Sequence, residues 1–351
     1  MTDRVIQDGG EKDKEEILAL RSIVFKGEEP DKQKEVFWNW QFKGNPDGEG
    51  LIYLHKEGGQ VVGHFADTPK RFSVQGKEVL GTLSLDMMVH PGYRGGMFQQ
   101  LGRYAVERTK EKGFAFLTSY PIREWSIKSL RRVGWRDFFK LPVLVYPLRF
   151  RGIVNRYIHF YPLSLLIGGI VRVFYFITIF PWQRKVKREI EVDPMTQFDD
   201  AFDAFWRKAS SLHPVMGVRD RAFMNWRYFQ HPVRTYTIYR AMKEGEMQGY
   251  IVLRKVDLLQ FNSAVIVDLL ALEENALRRL VEKGIEYSKE ENADLLGCIV
   301  PRHHLYYRIL RRRGFLPSFK NFLFMVYPLI ERGVPLAPEG WYVNWGDSDV
   351  V

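Results

Sequence analysis

The stretch DMMVHPGYRGGMFQQL, Asp86 to Leu101, decides how the chain is read. An apolar run of strand character carries one acid, Asp86, and turns at His90-Pro91. It then passes Arg94, Gly95 and Gly96 before opening a helix. Backbone N–H groups at a helix start form an anion seat, and glycines beside them let a phosphate approach closely. Gly92, Gly95 and Gly96 next to Arg94 meet that need. The spacing is not a Walker loop, which requires Gly-Lys-Ser/Thr. Nor is it the G-x-G-x-x-G fingerprint that follows a first parallel strand, because here several antiparallel strands come first.

Outward from this seam, the chain is written twice. FWNWQFKGNPDG at 37–48 matches FMNWRYFQHPVR at 223–234, with Trp40 on Trp226 and Pro46 on Pro232 at a shift of 186. Asp86 in SLDMMV meets Asp268 in IVDLLA at a shift of 182. PIREWSIKSLRRVGW from Pro121 meets PRHHLYYRILRRRGF from Pro301 at a shift of 180, and VYPL at 145–148 recurs at 326–329. The drift of a few residues is what small loop deletions leave behind.

Both copies share one grammar. In the first, Asp13 with Glu16 three residues on reads as a helix cap, with Ile17, Leu20 and Val24 on one face. Strands are expected at 51–55, 60–67, 71–74 and 79–89 between Gly-rich turns. A helix over 96–112, a buried strand FAFLTSY, a helix over 125–133 and a final strand in LPVLVYP complete the copy. Helices, an antiparallel run, then strand–helix–strand–helix–strand predict an α+β fold with a mixed, mostly antiparallel sheet flanked by helices. The expected domains are 1–148 and 191–330, joined by an apolar and basic linker at 149–190 and followed by a tail at 331–351.

With 351 residues, 46% of them hydrophobic, the chain has ample material for two cores. A formal charge of +10 favours anionic partners. No zinc-finger spacing, helix-turn-helix signature or aromatic RNA motif accompanies it, so nucleic acid is not expected. The lone Cys298, in LLGCIV, reads as a small buried hydrophobe. The polar opening MTDRVIQDGGEKDKEE is no signal peptide, and a cytoplasmic location is expected. Tyr161–Trp182 is apolar apart from Ser164, Thr178 and a near-central Arg172, with Arg149, Arg151 and Arg156 before it and Arg184, Lys185, Lys187 and Arg188 after. Three readings stay open: a helix packed between domains, an interfacial helix on anionic lipid at the inner face of a membrane, or a transmembrane span burdened by its arginine.

Val89 to Leu101, with hairpin strands before it and strand–helix–Gly-Trp after, resembles the acyl-CoA site of the GCN5-related N-acetyltransferases (GNAT). The double copy resembles tandem-domain bacterial members. The resemblance implies acetyl-CoA as co-substrate and an amine as acceptor. It implies that Met88 and Val89 offer strand backbone to the pantetheine arm and that Arg94, Gly95, Gly96, Met97 and Phe98 line the pyrophosphate. Ser119 and Ser126 would reach the pantetheine or the thiol end. Two features depart from the family pattern. The loop after Arg94 is one residue short, and the tyrosine that usually protonates the leaving thiolate is Leu130, with Tyr120 the nearest substitute.

A carboxylate on an apolar strand acquires a raised pKa by desolvation and suits a general base, which makes Asp86 a catalytic candidate. The alternative is an Asp bonded to a neighbouring strand or to Arg132, and its echo at Asp268 favours that alternative. His90 reads as base, contact or plain loop residue. The second copy has LLALEENALRRL where the first has its glycines, so Glu273 and Glu274 would repel a pyrophosphate. Its basic helix, with Arg302, Arg308, Arg311, Arg312 and Arg313, is a solvated face or a seat for an acidic acceptor. Adjacent His303 and His304 lack the i, i+4 spacing of a helical zinc site, and no metal is expected. The whole predicts a tandem N-acyltransferase whose acceptor suits an envelope amino sugar. A non-catalytic scaffold of the same fold, or an aminoacyl-tRNA-dependent transferase, is the rival; the oligomeric state is open.

Overall fold

A computed structural model describes residues 4–93, 95–155, 161–179, 189–330 and 337–349. The first copy runs β1 (Arg4–Gly9), α1 (Lys14–Phe25), α2 (Glu35–Phe42), β2 (Leu51–Glu57), β3 (Gln60–Val74), β4 (Lys77–Val89), α3 (Met97–Glu111), β5 (Phe116–Ser119), α4 (Glu124–Val133) and β6 (Arg136–Pro147). Two helices follow, α5 (Phe150–Asn155) and α6 (Tyr161–Ile179). The second copy runs β7 (Glu191–Met195), α7 (Asp200–Ala209), β8 (Val215–Gly217), α8 (Arg221–Met224), β9 (Thr237–Lys243), β10 (Glu246–Leu258), β11 (Phe261–Ala271), α9 (Glu274–Glu290), β12 (Leu295–Ile299), α10 (Leu305–Arg312) and β13 (Leu316–Pro328).

The compact units cut across the written repeats. One comprises 1–140, 213–234 and 322–341; the other comprises 141–212, 235–321 and 342–351. In the first unit the strands lie in the order β1-β2-β3-β4-β5-β13, antiparallel except for β4 with β5. In the second the order is β7-β9-β10-β11-β12-β6, and only β11 with β12 is parallel. The end of each repeat's last strand therefore closes the other unit. Val326 stands opposite Thr118, and Val145 opposite Gly297. The repeated VYPL marks two equivalent registers, each filled by the other copy.

In the first unit, the two strands expected at 60–67 and 71–74 are one long β3. Pro69 is tolerated because β2 pairs β3 only through Asp67 and β8 only from Phe72, so its missing N–H breaks no ladder on that side. A two-residue turn, Gln75-Gly76, joins β3 to β4 with both φ positive, at 50° and 78°. The face of α3 that carries Phe98, Leu101 and Ala105 packs on Phe65, Met87, Leu117 and Met325. Asp13 does not cap α1 with its side chain; it accepts from Gly10 N–H and from Lys56 instead. Trp40 and Trp226, equivalent in the two copies, stack at 4.5 Å and each indole N–H donates to the other's carbonyl.

Candidate active site

β4 and β5 pair at Thr82–Leu117 and Leu83–Thr118. Beyond that ladder β4 runs on toward Val89 while β5 ends at Ser119, which leaves a fork between two parallel strands. A one-residue bulge sits in β4 at the fork: His64 faces Met88 and Ala66 faces Leu85, so β4 carries the extra residue. Asp86 occupies the bulge at a φ of 50°. Its carboxylate meets Arg21 of α1 at 2.6 Å and Gln41 of α2 at 3.4 Å. His64 Nδ1 donates to its carbonyl at 2.6 Å.

The bulge acid does not have the raised pKa expected of a base. Burial pushes it up, but the charges of Arg21 and Lys32 and the Arg21 hydrogen bond hold it down at about 2. Its partner is Arg21, not Arg132. Burial keeps the His64 imidazole below its ordinary pKa.

After β4 the chain turns through Pro91–Tyr93, where His90 accepts from Gly92 N–H and holds the corner. Arg94 lies outside the described residues. Gly95 and Gly96 take φ of 124° and 93°, a region that side chains other than glycine rarely visit. A Cβ on either would meet nothing within 4 Å, so the space before them is open. α3 then begins with no side-chain cap, leaving its first amides to an outside partner. Both glycines line a cavity of about 470 Å³, together with Val24, Val89, Phe98, Gln99, Arg123, Trp125, Ser129 and Arg132.

Val89, Gly95, Gly96 and Phe98 are thus brought together in one lining. Met88 and Met97 are buried outside the lining. Ser119, also buried, donates to Ser84 O across the fork at 3.1 Å. Ser126 does not face the cavity; its hydroxyl donates to Arg123 O inside the first turn of α4. Tyr120 follows the end of β5 with its ring 5.0 Å from Phe324.

Sequence reasoning missed Arg21, His64, Arg123 and Trp125, and set Arg132 beside Asp86, whereas it lines the cavity. Trp125, Ser129 and Arg132 fall at i, i+4 and i+7 on one face of α4, a stripe too polar for core. Arg21 shares the apolar face of α1 with Ile17, Leu20 and Val24, and an arginine there signals a buried anion. Arg123 also pairs with Glu28, from the loop after α1.

A fork of parallel strands, a bulge beside it and an uncapped glycine-led helix facing a basic cavity describe a seat for a long phosphorylated ligand. The sequence profile of the family described as "Acetyltransferase (GNAT) domain" matches residues 6–137. Residues 6–137 are a GNAT acetyltransferase domain. Among solved structures, a GCN5-related N-acetyltransferase from Anabaena variabilis aligns with 93% of this chain and 73% of its own, at 13% identity and a TM-score of 0.66. A tandem GNAT protein from the clavulanic acid biosynthesis pathway covers 94% and 100%, at 14% identity and a TM-score of 0.56. N-myristoyltransferase of Saccharomyces cerevisiae, with bound myristoyl-CoA, covers 100% and 85% at 12% identity and a TM-score of 0.59. Comparison with curated proteins gave no match. The chain has the tandem GNAT fold. Such a fold implies an acyl-CoA and an acceptor. Among the described residues, no group of three or more His, Cys, Asp or Glu is placed to hold a metal ion.

Proposed function

We propose that the GNAT domain of the first copy transfers an acyl group, acetyl in the simplest case, from acyl-CoA to an amine within a ternary complex. The observation that carries this reading is the uncapped start of α3, led by two positive-φ glycines into a cavity walled by Arg123 and Arg132. The pyrophosphate sits on the amides of Gly95 to Phe98. Arg132 and Arg123 neutralise the remaining phosphate charge. Met88 and Val89 guide the pantetheine into the fork, and Ser119 stands at its closed end.

In the transfer the amine nitrogen bonds to the thioester carbonyl carbon, the C–S bond breaks, and the nitrogen's proton passes to water. The sulfur departs as thiolate and takes up a proton, for which the Tyr120 hydroxyl is the nearest donor by sequence. Asp86 accepts protons poorly at neutral pH with a pKa near 2. We therefore assign it to holding the bulge against α1 and α2, while alignment of amine and thioester supplies much of the rate. The basic chain suits an acceptor on an acidic glycan or at an anionic membrane surface, and an envelope amino sugar fits both.

The test is calorimetric titration of acetyl-CoA into the wild type and an Arg132→Glu variant. Wild-type binding at one site per chain, weakened about tenfold or more by the reversed charge, is expected. No wild-type binding would leave the non-catalytic scaffold standing. Undiminished binding in the variant would move the phosphates away from α4.

A further inference from the structure

Beyond the glycine seat the cavity is walled by two helices, with Phe98 and Gln99 from α3 and Trp125, Ser129 and Arg132 from α4. The helices start at the same end. Phe98 and Trp125, each in a first turn, meet edge to face with ring centroids 6.1 Å apart. The helices touch again where Gly102 leaves room for Val133; a Cβ on Gly102 would lie 2.9 Å from Val133 Cγ2. At 1.5 Å per residue, Ser129 and Arg132 follow Trp125 by about 6 and about 10 Å along α4. From the seat outward, α4 therefore presents an indole, a hydroxyl and a guanidinium.

Neither end of that row is accounted for by folding. Trp125 is 40% exposed, whereas Leu130 and Val133 of the same helix fill the core. The other cations of α4 and its cap have acids: Arg123 pairs with Glu28, Lys128 with Glu124 and Arg131 with Asp137. Arg132, exposed on the cavity wall, has no acidic partner among the described residues. An open aromatic ring takes a nucleobase by stacking, and a guanidinium takes a phosphate through paired hydrogen bonds.

We propose that Trp125 and Arg132 read the nucleotide end of the acyl donor, Trp125 stacking on the adenine and Arg132 holding the 3′-phosphate. The inference rests on the acyl-CoA reading and extends it to the class of donor. In coenzyme A the diphosphate leads to a ribose that bears the base and the 3′-phosphate, and the groove offers a seat, a ring and a cation in that order. Phosphopantetheine on a carrier protein has neither base nor 3′-phosphate. The groove thus selects a nucleotide-borne acyl group over a protein-borne one.

The experiment is calorimetric titration of the full chain with acetyl-CoA, its 3′-dephospho form and acetyl-4′-phosphopantetheine. It is run on the wild type, Arg132→Gln and Trp125→Ala, with a melting curve for each. In the wild type each truncation of the donor should weaken binding about tenfold or more. Arg132→Gln should erase the first step and keep the second, and Trp125→Ala should do the reverse. Each step compares two donors on one protein, so a general loss of stability cannot imitate the result. A truncation that costs the wild type nothing, or a step that survives its own variant, overturns the proposal and leaves the acyl-CoA reading standing. A wild type that binds none of the three donors removes both.

Discussion

At the seam after β4, Gly95 and Gly96 swing to positive φ and α3 begins without a side-chain cap. At the seam after β11, the chain stays extended through Glu273, and α9 opens on Glu274, which is tied to Arg278. The bulge acids diverge in the same way. Asp86 pairs with Arg21 and Gln41 from the helices of its own copy. Asp268 instead accepts from Asn344 Nδ2 at 2.7 Å, and the Tyr342 hydroxyl donates to Leu269 O beside it. Trp345, buried with them, lies 3.6 Å from where a side chain on Gly297 of β12 would begin. The fork of the second unit is thus filled by the end of the chain. The difference teaches that a GNAT fork is a weak point in a sheet: it holds a ligand or it must be packed with something else.

The largest effect expected from breaking this comparison is on donor binding. Gly95→Glu places a carboxylate at the proposed pyrophosphate seat and a side chain at a φ of 124°, so acetyl-CoA affinity should fall about 100-fold or more. The converse change, Glu273→Gly/Glu274→Gly, should leave the stoichiometry at one per chain, because the tail still fills that fork. Calorimetric site counts check both; a second site in the double variant would show that charge alone had silenced the second seam.

Much of this was legible before any coordinates. The repeat, the α+β class, the seam and the glycines all rest on local chemistry, which residue spacing records. The exchange of the final strands was not legible, since VYPL reads as a strand end in either unit and only the path of the connecting chain decides which sheet it closes. Asp86 misled for a related reason. An acid among Leu83, Leu85, Met87 and Met88 announces burial, but its pKa depends on Arg21, 65 residues away, and no spacing rule links the two. The tail was equally silent: Tyr342, Asn344 and Trp345 fill a fork that exists only once β11 and β12 have paired.

Next in size is the bulge acid. Asp86→Asn takes one of two acidic partners from Arg21, which is 3% exposed and keeps Glu29 at 3.1 Å, and the cost should be about 1–3 kcal/mol. Its folded pKa of about 2 lies below the ordinary carboxylate value. Its contribution is therefore complete above about pH 4 and is lost as pH falls toward 2. Urea midpoints between pH 2 and 5 should drop steeply in the wild type and more gently in the variant. Lost turnover with unchanged stability would instead return Asp86 to the proton-transfer role.

A smaller effect is expected in the other unit. Asn344→Ala removes one of the donors to buried Asp268, the other being Leu269 N–H, and should cost about 1–3 kcal/mol. Acetyl-CoA affinity should stay the same, because Asn344 belongs to the other unit. A matching loss of affinity would mean that the filled fork supports the open one.

The last effect, confined to a pH window, contrasts two acids on opposite faces of one sheet. Asp67 lies on the α3 side, fully buried, and accepts from Ser84, from Thr109 at 2.8 Å and from Thr82 at 3.2 Å. With hydroxyls for partners and no cation, burial outweighs the hydrogen bonds and lifts its pKa to about 6. The sign is opposite to that of Asp86. A raised folded pKa gives stability that is complete below about pH 4 and disappears as pH rises through 6. Asp67→Asn keeps an acceptor for the hydroxyls but cannot ionise, so the decline between pH 4 and 7 should flatten. By pH 7 the variant should have gained up to about 3 kcal/mol relative to its standing at pH 4. Urea midpoints across that window check it, and a slope unchanged by the substitution would assign the decline to another group. If both acids behave as described, neutral pH keeps Asp86 charged against Arg21 and strains Asp67. The face of the sheet that carries α1 and α2 is then held most firmly where the opposite face is least stable.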